Sequence, residues 1–149
     1  MLNREKTIID LNKKYVFDSI GIKINELSFI EKINIKINPN NKNLISSCGK
    51  IIDILLPTKP NTYARNEKIK AIWLGPNEWL ITNENKTNLI TKLRNEIGDK
   101  DGSATDVSEN RTIIRISGEK VYILLAKFLT LNLEKNLFNQ NACAQTLFV

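Results

Sequence analysis

The 149-residue chain contains no histidine. That absence removes the most used general base, the commonest metal ligand and every Ser-His-Asp or Cys-His arrangement. Glycine is also scarce: six residues are scattered singly, so no glycine-rich loop of the kind that cradles a nucleotide phosphate can be found. The two cysteines, Cys48 and Cys143, stand far apart in no metal-binding or redox spacing, which suits a reduced, cytoplasmic setting. No apolar run approaches a membrane span, and the opening MLNREKTIID offers no apolar stretch to act as a signal peptide. Aromatic side chains make up 7% of the chain, with two tryptophans among them. These absences leave the chain poorly equipped to do chemistry alone.

What is present is ordinary for a globular protein: 42% hydrophobic residues, 26% charged, and a length suited to one domain over residues 1–149. The net charge of +6 invites a nucleic-acid partner. The lysines are spread along the whole chain, however, and are enriched together with Asn and Ile, which reads as compositional bias. No RNA-binding aromatic motif and no Arg-striped helix accompanies them. We therefore expect no nucleic-acid and no membrane partner.

Along the chain, residues 1–20 read as a polar, partly helical leader. In SFIEKINIKIN, Ile33, Ile35 and Ile37 alternate with polar residues, the period of a half-buried strand. Asn38-Pro39 then predicts a helix start with Pro39 at its first position, and Gly49 a stop. KIIDILLP fits either a strand or a continued helix, and Pro57 and Pro60 open a loop.

From Lys68 a pattern occurs twice. KIKAIWL and WLIT are short strands around a turn, followed by a helix with Leu89, Ile90, Leu93 and Ile97 on one face, ending at Gly98. SATDVS and RTIIRIS are again strands, followed by a helix carrying Val121, Leu124, Leu125 and Phe128. Ser117 is its expected N-cap, with Glu119 in the first turn. ACAQTLFV reads as a last strand. Two ββα units with flanking strands predict an α+β domain: a mixed or antiparallel sheet with helices on one side.

Both tryptophans lie in AIWLGPNEWLIT. A four-residue loop pairing Leu74 with Trp79 would put Ile72, Leu74, Trp79 and Ile81 on one face and Trp73 and Leu80 on the other. The tryptophans would then point oppositely, one into the core and one towards a covering partner. A slip of one residue would reverse one strand's faces.

Taken in order, PNTYARNEKIKAIWLGPNEWLI (Pro60 to Ile81), ATDVSENRTIIRISGEK (Ala104 to Lys120) and CAQTL (Cys143 to Leu147) resemble the gamma subunit family of heterotetrameric sarcosine oxidase. The matching motifs are Pro60 to Thr62, Trp73 to Leu80, Asp106 to Ser108 with Arg111 and Thr112, Ser117-Gly118, and Cys143 to Thr146. They span residues 60–147. The resemblance implies a fold similar to the folate-binding domain of the glycine-cleavage T-protein, an aminomethyltransferase. It also implies membership of a complex that oxidatively demethylates sarcosine to glycine. The one-carbon unit leaves as 5,10-methylenetetrahydrofolate or formaldehyde, and oxygen becomes hydrogen peroxide. In such a complex FAD, FMN, NAD and tetrahydrofolate belong to the larger subunits, so this chain would bind none and would partner the alpha and beta (and delta) subunits. Family members continue past Cys-Ala-Gln-Thr, so the C-terminus reads as shorter than the family's, with the strand at 142–149 left as an edge.

Asp106, Ser108 and Arg111 form the most site-like polar group. Either the first two satisfy local backbone while Arg111 pairs at the surface, or the three mark a vestigial folate-type pocket. Trp73, Glu78 and Trp79 are the interface candidates; Glu78 lacks the second group that acid–base catalysis would need. No catalytic residue and no metal site is expected. The rival reading is a stand-alone folate-binding or aminomethyl-transfer module.

Overall fold

The computed structural model describes residues 21–27, 30–85, 87–99 and 101–149. The expected leader at 1–20 lies outside the described residues.

The alternating isoleucines form β2 (Glu31–Ile37), which runs beside β5 (Glu78–Asn83) and β6 (Gly102–Asp106) in a five-stranded sheet. β3 (Tyr63–Arg65) and β4 (Ile69–Gly75) complete the order β3-β4-β5-β2-β6, with every neighbouring pair antiparallel. Because successive side chains point to opposite faces, Ile33, Ile35 and Ile37 share one side. The register lines Ile33 up with Ile81, and Ile35 with both Trp79 and Ala104.

Two helices cover that face. α1 (Lys42–Ile52) buries Leu44, Cys48 and Ile52, and α2 (Leu89–Ile97) buries Leu89, Leu93 and Ile97. Together with the strand residues they make one core cluster, in which each fully buried Leu or Ile contributes about 1.5–3 kcal/mol. This is the expected α+β arrangement, with both of these helices on one side of an antiparallel sheet.

α1 starts later and ends later than expected. Asn38 and Pro39 belong to a turn, and the cap is Asn41, whose side chain accepts a hydrogen bond from the Leu44 amide at 3.1 Å. Gly49 lies inside the helix, buried where a Cβ would come within 2.9 Å of the Ile54 carbonyl oxygen. The actual stop is Asp53, in the left-handed region at φ 54°. KIIDILLP is thus helical at its start and irregular after it. α2 ends at Gly98 as the pattern predicts.

The second ββα unit does not copy the first. β6 joins the large sheet, but β7 (Ile114–Ser117) leaves it and pairs antiparallel with β1 (Lys23–Glu26) in a separate ribbon. Ser117 is the last residue of β7, not a helix cap. The turn after it places Gly118 at φ 125°, packed so closely that a Cβ there would overlap the Gly21 carbonyl. The close approach is therefore to the chain entering the ribbon. The following helix, α3 (Val121–Leu125), is only 5 residues long and begins after Lys120. A further short helix, α4 (Leu133–Leu137), is capped by Asn132, which accepts from the Lys135 amide at 2.9 Å. The expected strand at 142–149 is replaced by irregular chain with two single bridging pairs, Thr62 with Ala142 and Leu129 with Phe148.

Candidate functional site

The tryptophan hairpin closes more tightly than a four-residue loop. Gly75 stands opposite Glu78, so only Pro76 and Asn77 form the turn, and Trp73 stands opposite Trp79. The extra residue, Leu74, is taken up by an irregularity between Trp73 and Gly75. That shift moves Trp73 onto the same face as Trp79 and corrects the expectation that they point oppositely. Ile72 and Leu80 pair on the other face.

Trp79 is 1% exposed, and its Nε1–H donates to the Pro57 carbonyl at 2.8 Å. Trp73 is half-buried and packs against the same core. Glu78 lies on the opposite, more open face, where Asn34 Nδ2 donates to its Oε1 at 2.7 Å and Lys36 Nζ stands 3.9 Å from its Oε2. The three interface candidates thus divide: two face the helices and one faces away.

Asp106 and Ser108 come together, each side chain bonded to a backbone amide. Asp106 Oδ1 accepts from the Ser108 amide at 2.9 Å, and Ser108 Oγ accepts from the Lys32 amide at 2.9 Å, pinning the end of β6 to β2. Arg111 is exposed and makes no hydrogen bond or ion pair among the described residues. None of the three lines any of the described clefts.

The motifs separated in sequence do converge elsewhere. The Tyr63 amide donates to Asn141 O at 2.8 Å, and the Cys143 amide to Asn61 O at 2.9 Å. Gln145 Nε2 donates to Leu74 O at 2.9 Å, where the hairpin bulges. Cys143 packs beside the Trp73 backbone, and burial pushes its thiol above the ordinary value. Asn-Thr, Trp-Leu-Gly and Cys-Ala-Gln are therefore one tied corner of the fold, with backbone groups as the partners.

One polar centre gave no sequence signal. Asn83 is 1% exposed; its Nδ2 donates to Glu31 Oε2 at 2.9 Å and Thr87 Oγ1 at 3.0 Å, and its Oδ1 accepts from the Asn85 amide at 3.0 Å. Glu31 also accepts from the Ile90 amide at 3.2 Å, serving the start of α2 where Asn88 provides no side-chain cap. An asparagine among many asparagines cannot be singled out by composition.

Among the described residues no group of three or more His, Cys, Asp or Glu side chains could hold a metal ion, and no helix is long and apolar enough to cross a membrane.

No family model matches the chain. Its sequence is similar to curated gamma subunits of sarcosine oxidase. That of Corynebacterium sp. strain P-1 is 24% identical over 126 residues, 84% of this chain and 62% of the relative. That of Corynebacterium sp. strain U-96 is 29% identical over 76 residues, 51% of this chain and 37% of the relative. That of an Arthrobacter species is 32% identical over 82 residues, 54% of this chain and 40% of the relative. The chain thus spans less than two thirds of the length of each. Its fold is that of a chain in the heterotetrameric sarcosine oxidase of Corynebacterium sp. U-96, solved with pyrrole 2-carboxylate. The TM-score is 0.78 at 22% identity, covering 85% of this chain and 65% of the other. The resemblance read from the motifs is borne out by these relatives.

Proposed function

We propose that the chain is an accessory gamma subunit of a cytoplasmic heterotetrameric sarcosine oxidase. The complex would oxidatively demethylate sarcosine to glycine, releasing the one-carbon unit as 5,10-methylenetetrahydrofolate or formaldehyde and forming hydrogen peroxide. FAD, FMN, NAD and tetrahydrofolate would sit on the larger subunits, and this chain would contribute shape and apolar contact.

The observation that supports this reading is the distribution of exposed apolar side chains. Past Ala104, Leu133 is the one buried hydrophobic side chain among the described residues. Over the same region Ile114, Tyr122, Ile123, Phe128, Phe138, Leu147, Phe148 and Val149 are exposed, several by well over half of their surface. Phe128 and Phe148 stack on each other at 5.2 Å between ring centroids, near the surface. Apolar exposure on this scale supports a surface that another polypeptide covers.

Co-expression with the large subunits of the same organism's oxidase tests the reading. Co-elution as one complex in gel filtration is expected. A monodisperse monomer that stays apart from them contradicts it. Titration of the isolated chain with a reduced folate separates the rival reading, which requires micromolar binding.

A further inference from the structure

The β1–β7 ribbon and the large sheet leave a small cleft between them whose charge the fold does not neutralise. Arg65, Glu67 and Lys68 enter it from β3 and the turn that follows, Lys70 from β4, Arg115 from β7, and Glu84 from the chain just after β5. Four cations against two carboxylates give a local balance of +2. Arg65, Lys68 and Arg115 make no side-chain hydrogen bond or ion pair among the described residues. Lys70 Nζ stands 5.0 Å from the centroid of the Tyr63 ring, a contact that orients the ammonium without cancelling its charge. Cations brought together from three separate elements without pairing repel one another, and an anion between them removes that repulsion.

We infer that this cleft binds a small oxyanion of the hydrogen-phosphate class. The two guanidinium groups have the flat donor geometry that grips phosphate oxygens in pairs, and the two ammonium groups add point charge. The cleft volume is about 130 Å³, below the range of sites that hold drug-sized ligands, so it suits a single phosphate group and not a nucleotide. Glu67 and Glu84 favour an anion that still carries a proton: a carboxylate accepts a hydrogen bond from the hydroxyl of hydrogen phosphate but only repels sulfate. This inference is independent of the oxidase reading, because it needs no partner subunit.

The test is calorimetric titration of the full chain with inorganic phosphate and, separately, with sulfate, at constant ionic strength and near-neutral pH. Saturable phosphate binding is expected, at least about tenfold tighter than sulfate binding. Arg115→Gln and Lys68→Gln, both at exposed positions, should each weaken it about tenfold with the circular dichroism spectrum unchanged, whereas Lys59→Gln, outside the cleft, should leave it intact. Equal affinity for the two anions, unsaturable binding, or full phosphate affinity in both cleft variants would overturn the proposal.

Discussion

Trp73 and Trp79 stand directly across from each other in β4 and β5, and the second is anchored by a 2.8 Å hydrogen bond to Pro57. The hairpin therefore holds the sheet to the loop that leaves α1. Trp79→Phe removes volume from a filled core and strands the Pro57 carbonyl, so it should cost about 2–4 kcal/mol. Trp73→Phe leaves no such orphan and should cost about 1 kcal/mol. Urea unfolding followed by circular dichroism measures both; equal losses would show that the Pro57 bond matters little.

Asn83 fills three hydrogen-bonding roles in a dry place. Asn83→Leu leaves Glu31 and the Asn85 amide short of partners, with an expected cost of about 2–3 kcal/mol. Thr87→Ala removes one of these partners at an exposed residue, so its cost should stay near 1 kcal/mol or less. Thermal melts of the two variants check the order.

Gly118 and Gly75 offer a paired test of backbone demand. At Gly118 a Cβ would overlap the Gly21 carbonyl and the φ is 125°, so Gly118→Ala should destabilise by roughly 2 kcal/mol or more. At Gly75 the nearest atom to a new Cβ is 3.8 Å away, so Gly75→Ala should change stability by about 0.5 kcal/mol or less. Comparable losses at both sites would refute the packing argument for the ribbon.

Cys143 should be a sluggish nucleophile. Burial raises its thiol above the usual 9.0, so the folded chain keeps the proton at a pH where the unfolded chain releases it. The resulting stabilisation is fully present below about pH 9 and is lost as pH rises through the folded-state value. An aromatic disulfide reagent at pH 8 should label the native chain several-fold more slowly than a small free thiol, and should reach both cysteines quickly once the chain is unfolded. Rapid native labelling of Cys143 would contradict this.

Much of the first half of the fold was legible because its signals are strictly periodic. Ile33, Ile35 and Ile37 could only alternate, and Leu89 to Ile97 with Gly98 after it could only be one helix turning one face inward. The pattern is silent where one residue of register decides which face a side chain takes. The face Trp73 takes depends on a bulge at Leu74, which is invisible in an apolar/polar pattern. Ser117 looked like a cap because the close approach of Gly118 to Gly21 is a long-range contact that local spacing cannot show. Val121, Leu124, Leu125 and Phe128 suggest a longer core helix, yet the first three are only half-buried and Phe128 is exposed. The motifs that carry the resemblance are joined by long-range contacts that their spacing does not show. Asn61, Trp73, Cys143 and Gln145 meet at one corner through hydrogen bonds that end on backbone carbonyls, and Asp106 and Ser108 serve the chain around them.

Under the proposed function the chain docks as a subunit through the apolar surface of its last third. The most direct measurement is hydrogen exchange of the chain alone and after co-expression with the large subunits of the same organism's sarcosine oxidase. A co-purifying complex is expected in which amides of residues 121–149 gain protection while those of α1 do not. A complex that protects α1 and leaves 121–149 unchanged, or no complex at all, would contradict it.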